Sequence, residues 1–299
     1  MQCRLAGVVA AALALTLALA AAPAAAQALR IASWNVEHLA ERDGAGCKPR
    51  QPADYARLRG YARVLDADVV ALQEVENAAA VRRLFPAEHY RIEVGGAAEV
   101  REPRLCRDQA HGLLTAHRVA FAIRKGVRYR RNADLELPDG GKTSPDITLF
   151  PERAPLRVLA VHLRSGCFSN ARERRAGEAC DALDAQAGAV ERWIDGHSED
   201  GRPALVLGDF NRRLTVPGDR LWQDLADGRP APLESLAEGH RQRCRGPYEG
   251  RPYIDHILVN PAARARVRGE FQALVYRETG RRAPSDHCPV WVRISAPEN

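Results

Sequence analysis

Six short apolar runs in this chain each meet an acid, an amide or an imidazole where they begin or end. That repetition limits what the chain can fold into. "SWNVE" carries Asn35 and Glu37, and "ALQEV" carries Glu74. "AVHLRSG" carries His162, and "LGDFN" carries Asp209 and Asn211. "YIDHI" carries Asp255, and "PSDHCPV" places Asp286 and His287 just ahead of the last run. Apolar runs of this length belong in a core, where a carboxylate is costly unless a cation or hydrogen bonds compensate it. Singly, each has an ordinary account. An Asp after a Gly makes a turn, a lone His satisfies itself in a core, and a Glu at a strand end is solvated. Jointly, so many are hard to explain as separate accidents.

The pattern around these runs supplies the strands and helices. "ALRIASWNV" and "DVVALQEV" read as strands. Between them, "DYARLRGYARVLDA" spaces Tyr55, Leu58, Tyr61, Val64 and Leu65 as a helix does. "VAFAIRKGVRYR" reads as a hairpin around Gly126, and "ITLFPERAPLRVLAVHL" as a second one turning between Pro151 and Pro155. "ARERRAGEACDALDAQAGAVERWIDG" is a long helix closed by Gly196. "ALVLGDF", "YIDHILVN", "FQALVYRE" and "CPVWVRIS" are further strands, and residues 212–250 are loops with a short helix near Leu221 to Leu225. Strands interspersed with helices predict an α/β or α+β layered domain, and hairpins exclude a purely parallel sheet. A single domain over residues 29–295 is the simplest organisation.

Residues 1–26 stand apart. One early positive charge, Arg4, precedes an Ala- and Leu-rich run and then small residues in an A-x-A arrangement. That is the pattern of a secretory signal peptide cut at 26/27 or 28/29. A membrane anchor is disfavoured by Pro23 and the cleavage site, and no later segment is long and apolar enough to span a bilayer. An exported chain meets an oxidising compartment, so its six remaining cysteines are read as disulfides. Cys167 and Cys180 enclose a short polar loop and make the first pair. Cys47 and Cys106, in charged loops, make the second. Cys244 and Cys288 remain, with Cys288 equally able to be a buried thiol. No CxxC or clustered Cys/His spacing supports zinc. The formal charge is +6, and Arg supplies nearly all the positive residues, Lys occurring only at 48, 125 and 142. Arginine suits phosphate recognition, and this balance permits an anionic substrate without requiring one.

In order along the chain, "WNVEH", "LQEVEN", "VHLRSGC", "GDFNRR", "YIDHILV" and "SDHCPV" resemble the endonuclease/exonuclease/phosphatase superfamily with the DNase I-like fold. The resemblance covers nearly the whole chain after residue 28. It implies a four-layered α-β-β-α sandwich, two mixed β-sheets packed face to face with helices outside. It also implies a divalent metal, Mg2+ with Mn2+ or Ca2+ as alternatives, held by Glu74 as main ligand with Asn35, Glu37 and Asp286. Hard oxygen donors suit such ions. His287 is then the acid/base at the scissile phosphate, oriented by Asp255. Asp209 positions or activates the attacking water, and Asn211 holds a phosphate oxygen. His162 stabilises charge on the pentavalent phosphorus. If extended geometry persists past Gly208, Asp209 and Asn211 share one face and Phe210 points into the packing. Arg164 and Arg212 lie nearest the motifs as substrate-phosphate contacts, ahead of Arg118, Arg124 and Arg213.

Three departures narrow the resemblance. Abasic-site endonucleases of this superfamily carry Tyr where His162 stands. DNase I has a DNA-contacting Arg where this chain has Glu76. Sphingomyelinase-like members use exposed aromatic hairpins, and no such hairpin is evident in a chain that is 6 % aromatic. The resemblance therefore implies an exported metal-dependent phosphodiester hydrolase, foremost a nuclease acting on extracellular nucleic acid. A phosphatase or phospholipase C-type enzyme is the alternative, on sugar-phosphate, inositol-phosphate or sphingolipid head groups. A non-catalytic binding module on the same fold is the second class. The sequence carries no signature of a protein partner. Substrate choice would lie in loops 38–52, 95–117 and 212–250.

Overall fold

A computed structural model describes residues 28–96, 104–106, 112–115, 118–150, 152–170, 177–244 and 249–296. The residues read as a signal peptide, and residues 171–176, read as the start of the long helix, lie outside these. The strands are β1 (Leu29–Leu39), β2 (Val69–Val75), β3 (Tyr90–Val94), β4 (Arg104–Leu105), β5 (Leu113–Leu114), β6 (Arg118–Arg124), β7 (Tyr129–Arg131), β8 (Asp146–Leu149), β9 (Leu156–His162), β10 (Ala204–Asp209), β11 (Glu234–Ser235), β12 (Asp255–Val259), β13 (Val267–Ala273) and β14 (Val290–Ile294). The helices are α1 (Pro52–Leu65), α2 (Ala78–Arg82), α3 (Glu178–Glu199), α4 (Arg220–Leu225) and α5 (Pro261–Arg264).

Two six-stranded sheets result, ordered β13-β14-β1-β2-β6-β3 and β11-β12-β10-β9-β8-β7. Each has one parallel pair at its centre, β1 with β2 and β9 with β10, and antiparallel pairs around it. The period of two along each strand sorts its side chains between layers. Ile31, Val69, Ala71, Phe121, Val158, Ala160, Leu205 and Leu207 meet in one apolar layer between the sheets. The alternate residues face outward. Trp34, Val70 and Leu72 pack with Tyr55, Leu58 and Leu65 of α1. Leu159, Val161 and Val206 pack with Leu183, Val190 and Ile194 of α3. Central strands covered on both faces read as continuous apolar runs for this reason. The expected four-layered sandwich is thus what the chain forms.

Several local expectations change. The hairpin around Gly126 does not form. Both edges of β6 are taken by β2 and β3, so the chain leaves for the second sheet, where β7 pairs with β8. Gly126, at φ +99°, makes that exit. Gly196 does not close α3, which continues to Glu199; Gly201, at φ +62°, receives the chain after it. Val64 is 64 % exposed, because the buried stripe of α1 runs through Tyr55, Leu58, Ala62 and Leu65. The strand expected at 271–278 sits earlier, at Val267–Ala273, and Tyr276 instead turns in to donate its hydroxyl to His287 O at 2.7 Å. The hairpin of β8 and β9 forms as read. All three disulfides form: Cys47–Cys106, Cys167–Cys180 and Cys244–Cys288. Cys288 is therefore not a free thiol. Among the described residues, no helix is long and apolar enough to cross a membrane.

Candidate active site

Strand register builds half of the site directly. Asp209 at the end of β10 sits opposite His162 of β9 on one side and Asp255 of β12 on the other. One row across the second sheet therefore carries an imidazole and two carboxylates. Gly208 lets this row form. A Cβ there would lie 1.9 Å from Val161 O, so any side chain would drive the backbone of β10 off β9. The first sheet supplies Asn35 and Glu74 from neighbouring parallel strands, where Asn35 sits opposite Gln73. Glu74 is at φ +61° and interrupts the pairing of β2 on both sides. Left-handed backbone is costly for such a residue and is characteristic of functional sites. Glu37 (φ +50°), His38 (φ +55°) and Asn211 (φ +53°) share it.

The two halves meet through one amide. Asn35 Nδ2 donates to Glu74 Oε1 at 3.2 Å and to Asp209 Oδ2 at 3.1 Å. His162 Nε2 lies 3.5 Å from Asp209 Oδ2 and 4.0 Å from Glu74 Oε1. His287 arrives from the loop before β14. Its Nδ1–H donates to both Asp255 oxygens, at 2.8 and 3.1 Å, which leaves Nε2 facing Asp209 Oδ2 at 3.8 Å. The Glu74 and His287 side chains thus belong to one cluster, with Asp209 between them. Asp286, beside His287, is exposed, and Glu37 Oε2 accepts its N–H at 2.9 Å.

Asp209 and Asn211 do come together, but not by a continuing pleat. The chain turns left-handed at Asn211, and Asn211 N–H donates to Asp209 Oδ1 at 2.8 Å, an Asx turn. Asn211 Nδ2 then donates to Leu163 O at 3.0 Å and approaches Asp209 Oδ2 at 3.4 Å. Phe210 points into the packing as expected, edge-on to His256.

Burial pushes the Asp209 carboxyl up to about 7, the neighbouring Asp255 adding to the rise and His287 opposing it. Burial lowers the proton affinity of His287, but Asp255, Asp286 and Asp209 together outweigh it, and its pKa stands well above the ordinary imidazole value. Glu37 is raised, first by burial and then by Asp286, with Lys48 opposing. Asp209, Asp255 and His287 each present a ligand atom within 4.8 Å of the others. With Glu74 and Asn35 alongside, this is a largely buried hard-oxygen donor set, and it fits a divalent cation.

The arginines fall differently. Arg164 is exposed just beyond His162. Arg212 is not at the surface at all. It is 0 % exposed, with Nε on Asp219 Oδ2 at 2.8 Å, Nη1 on Cys167 O at 3.2 Å and Nη2 on Asn170 Oδ1 at 2.5 Å. Its guanidinium is consumed in tying loops together, so the expected phosphate contact is withdrawn. Four site neighbours escaped the sequence reading. His38 donates its N–H to Glu74 Oε2 at 3.0 Å, and Ser285 Oγ–H donates to Asn35 O at 2.7 Å. Lys48 pairs with Glu37, and Arg50 donates to the backbone at Val36 O and Pro284 O. His38, inside "WNVEH", and Ser285, inside "SDHCPV", lay within quoted motifs; Lys48 and Arg50 carried no signal.

His256, next to Asp255 on β12, faces away from the cleft and plays a structural part. Nε2–H donates to Arg212 O at 3.0 Å, so neutral Nδ1 accepts from Ser235 Oγ at 3.1 Å. Burial pushes its pKa from 6.5 down to about 4. The unfolded chain therefore binds the proton first, and stability is lost as pH falls through that window. At about 1.4 kcal/mol per pH unit, the loss is roughly 3 kcal/mol. Urea unfolding from pH 7 to pH 4 should show a steeper decline for the wild type than for His256→Asn; parallel declines would refute this.

A site assembled from both sheets in this way defines a family, and the chain belongs to it: the Endonuclease/Exonuclease/phosphatase family, matched over residues 32–287. Its members are hydrolases acting on phosphoester bonds and are generally dependent on a divalent metal. No curated protein sequence matches the chain. Among solved structures, D. rerio TDP2 complexed with single strand DNA product is 21 % identical at a TM-score of 0.60, covering 89 % of this chain and 98 % of that one. The human Nocturnin catalytic domain with bound sulfate anion is 16 % identical at 0.59, covering 90 % and 94 %. A family protein from Bacteroides thetaiotaomicron is 18 % identical at 0.53, covering 91 % and 99 %. At these identities the likeness is one of fold.

Proposed function

We propose that this chain is an exported, metal-dependent phosphodiesterase that cleaves nucleic acid. The convergence of Asn35 and Glu74 from one sheet with His162, Asp209, Asp255 and His287 around a single cleft carries the reading. The set is complete for phosphodiester hydrolysis, which argues against a non-catalytic role. Asp209 orients the attacking water, and Asn211 holds a phosphate oxygen. His162 donates toward the phosphate oxygens as charge grows on them. His287, tethered by Asp255, delivers the proton to the leaving oxygen from Nε2. A divalent cation held by Glu74 and Asn35, with Asp286 at the rim, would polarise the phosphoryl group. Three disulfides and the signal-like residues 1–26 support export, and residues 29–295 are proposed as one domain. The single-strand DNA product named for the D. rerio neighbour makes nucleic acid the first substrate class to try.

The test is a panel of plasmid DNA, single-stranded DNA, RNA, inositol phosphates and sphingomyelin, each with Mg2+, Mn2+ or Ca2+ and then with EDTA. Cleavage of a nucleic acid that EDTA abolishes is the expected result. Turnover of the lipid or inositol phosphate alone would move the enzyme to the phospholipase or phosphatase class.

A further inference from the structure

Glu37 stands where the resemblance puts a metal-holding acid, yet its carboxylate is engaged within the protein. Oε2 accepts the Asp286 N–H at 2.9 Å and pairs with Lys48 Nζ. Lys48 Nζ donates at the same time to Ala283 O at 3.3 Å. Two residues on, Arg50 is 2 % exposed and donates to His38 O at 3.0 Å, Val36 O at 2.8 Å and Pro284 O at 3.0 Å. The segment from Cys47 to Arg50 therefore stitches the end of β1 to the loop from Ala283 to His287, and Cys47 is pinned by its bond to Cys106. The His287 backbone is held on its other sides by Ser285 Oγ, which accepts its N–H at 3.1 Å, and by the Tyr276 hydroxyl on its carbonyl. An ammonium beside Glu37 repels a second cation at the same oxygen and at once neutralises the acid's repulsion of the Asp286 carboxylate.

We propose that Lys48 is a positioning residue of this site: with Glu37 it forms a strut that holds the Asp286–His287 loop against β1, and Glu37 works through that strut rather than as a metal ligand. The proposal deepens the catalytic reading above and rests on it. Without Lys48, two like-charged carboxylates face each other across the loop, and His287 loses its registration on the cleft. Misplacement of a catalytic group by about 1 Å costs on the order of a hundredfold in rate.

Wild type, Lys48→Met and Lys48→Arg are compared on bis(p-nitrophenyl) phosphate at saturating Mn2+, with Mn2+ affinity measured separately by calorimetry. Lys48→Met is expected to lower kcat by about tenfold to a hundredfold. KM should stay within about twofold, as for an interaction felt only in the chemical step, and Mn2+ should bind no more tightly than to wild type. Lys48→Arg, which keeps the charge, should recover most of the rate. Mn2+ binding about tenfold or more tighter in Lys48→Met would identify Glu37 as a ligand that Lys48 restrains, and would overturn the proposal. A kcat equal to wild type would overturn it as well. Should the wild type bind Mn2+ and cleave nothing, the catalytic reading fails on its own. The strut is then decided by the His287 ring signals in NMR, which shift in Lys48→Met if it holds the loop and stay in place if it does not.

Discussion

Replacing His287 by alanine is expected to slow phosphodiester cleavage about 10³-fold, the middle of the range for loss of a positioned acid or base. The ring has one nitrogen committed to Asp255 and the other directed at Asp209 Oδ2. The substitution leaves the buried Asp255 without its imidazole partner, so folding of the variant is checked alongside the rate. Asp255→Asn separates orientation from proton affinity. An amide still accepts one hydrogen bond from Nδ1 but withdraws the charge that keeps the ring protonated, so its loss should be smaller, about 10²-fold. Rates measured on a nucleic acid and on bis(p-nitrophenyl) phosphate, with circular dichroism to confirm folding, check both. A His287→Ala enzyme with more than a tenth of wild-type activity would remove His287 from the chemistry.

The second large effect concerns stability. Arg212→Met should cost about 3–5 kcal/mol, because it strands the Asp219 carboxylate in a buried position. Arg212 and Asp219 are 0 % and 2 % exposed, and Asp219 also caps α4 by accepting the Trp222 N–H at 3.1 Å. For a domain of this size that is a fall in melting temperature of about 10 °C. Adding Asp219→Asn should restore part of the loss, since it removes the charge and leaves the cap. The Michaelis constant for substrate should not change, whereas a phosphate contact at Arg212 would raise it. A single variant as stable as wild type would show that the pair is not what holds the loops together.

Much of this was legible before any coordinates, for identifiable reasons. A strand buried on both faces has no choice but to read as an apolar run, so β1, β2, β9 and β10 announce themselves, and polar residues at their ends stand out against them. The order of the motifs along the chain then identified the family and the sandwich. What could not be read depends on distances through space. The hairpin at Gly126 failed because pairing partners are chosen by the whole sheet. Arg212 looks like any surface arginine in "GDFNRR", and only Asp219 from the following loop and Asn170 from the segment after β9 reveal its burial. Lys48 and Arg50 sit in a loop without periodicity, so nothing local marks them. The Asx turn at Asn211 lay within the ordinary reading of Asp209, and both the ordinary and the functional reading turned out to describe the same atoms.

The bridging amide of Asn35 has a broader consequence. Its two partners belong to different sheets, so the gap it spans is fixed by how closely those sheets stack. Ile31, Ala71, Leu207 and their neighbours in that layer therefore act as a gauge block for the cleft. Evolution can tune the catalytic spacing of such an enzyme from deep inside, by trading one aliphatic side chain for another of different bulk, with no residue at the cleft altered.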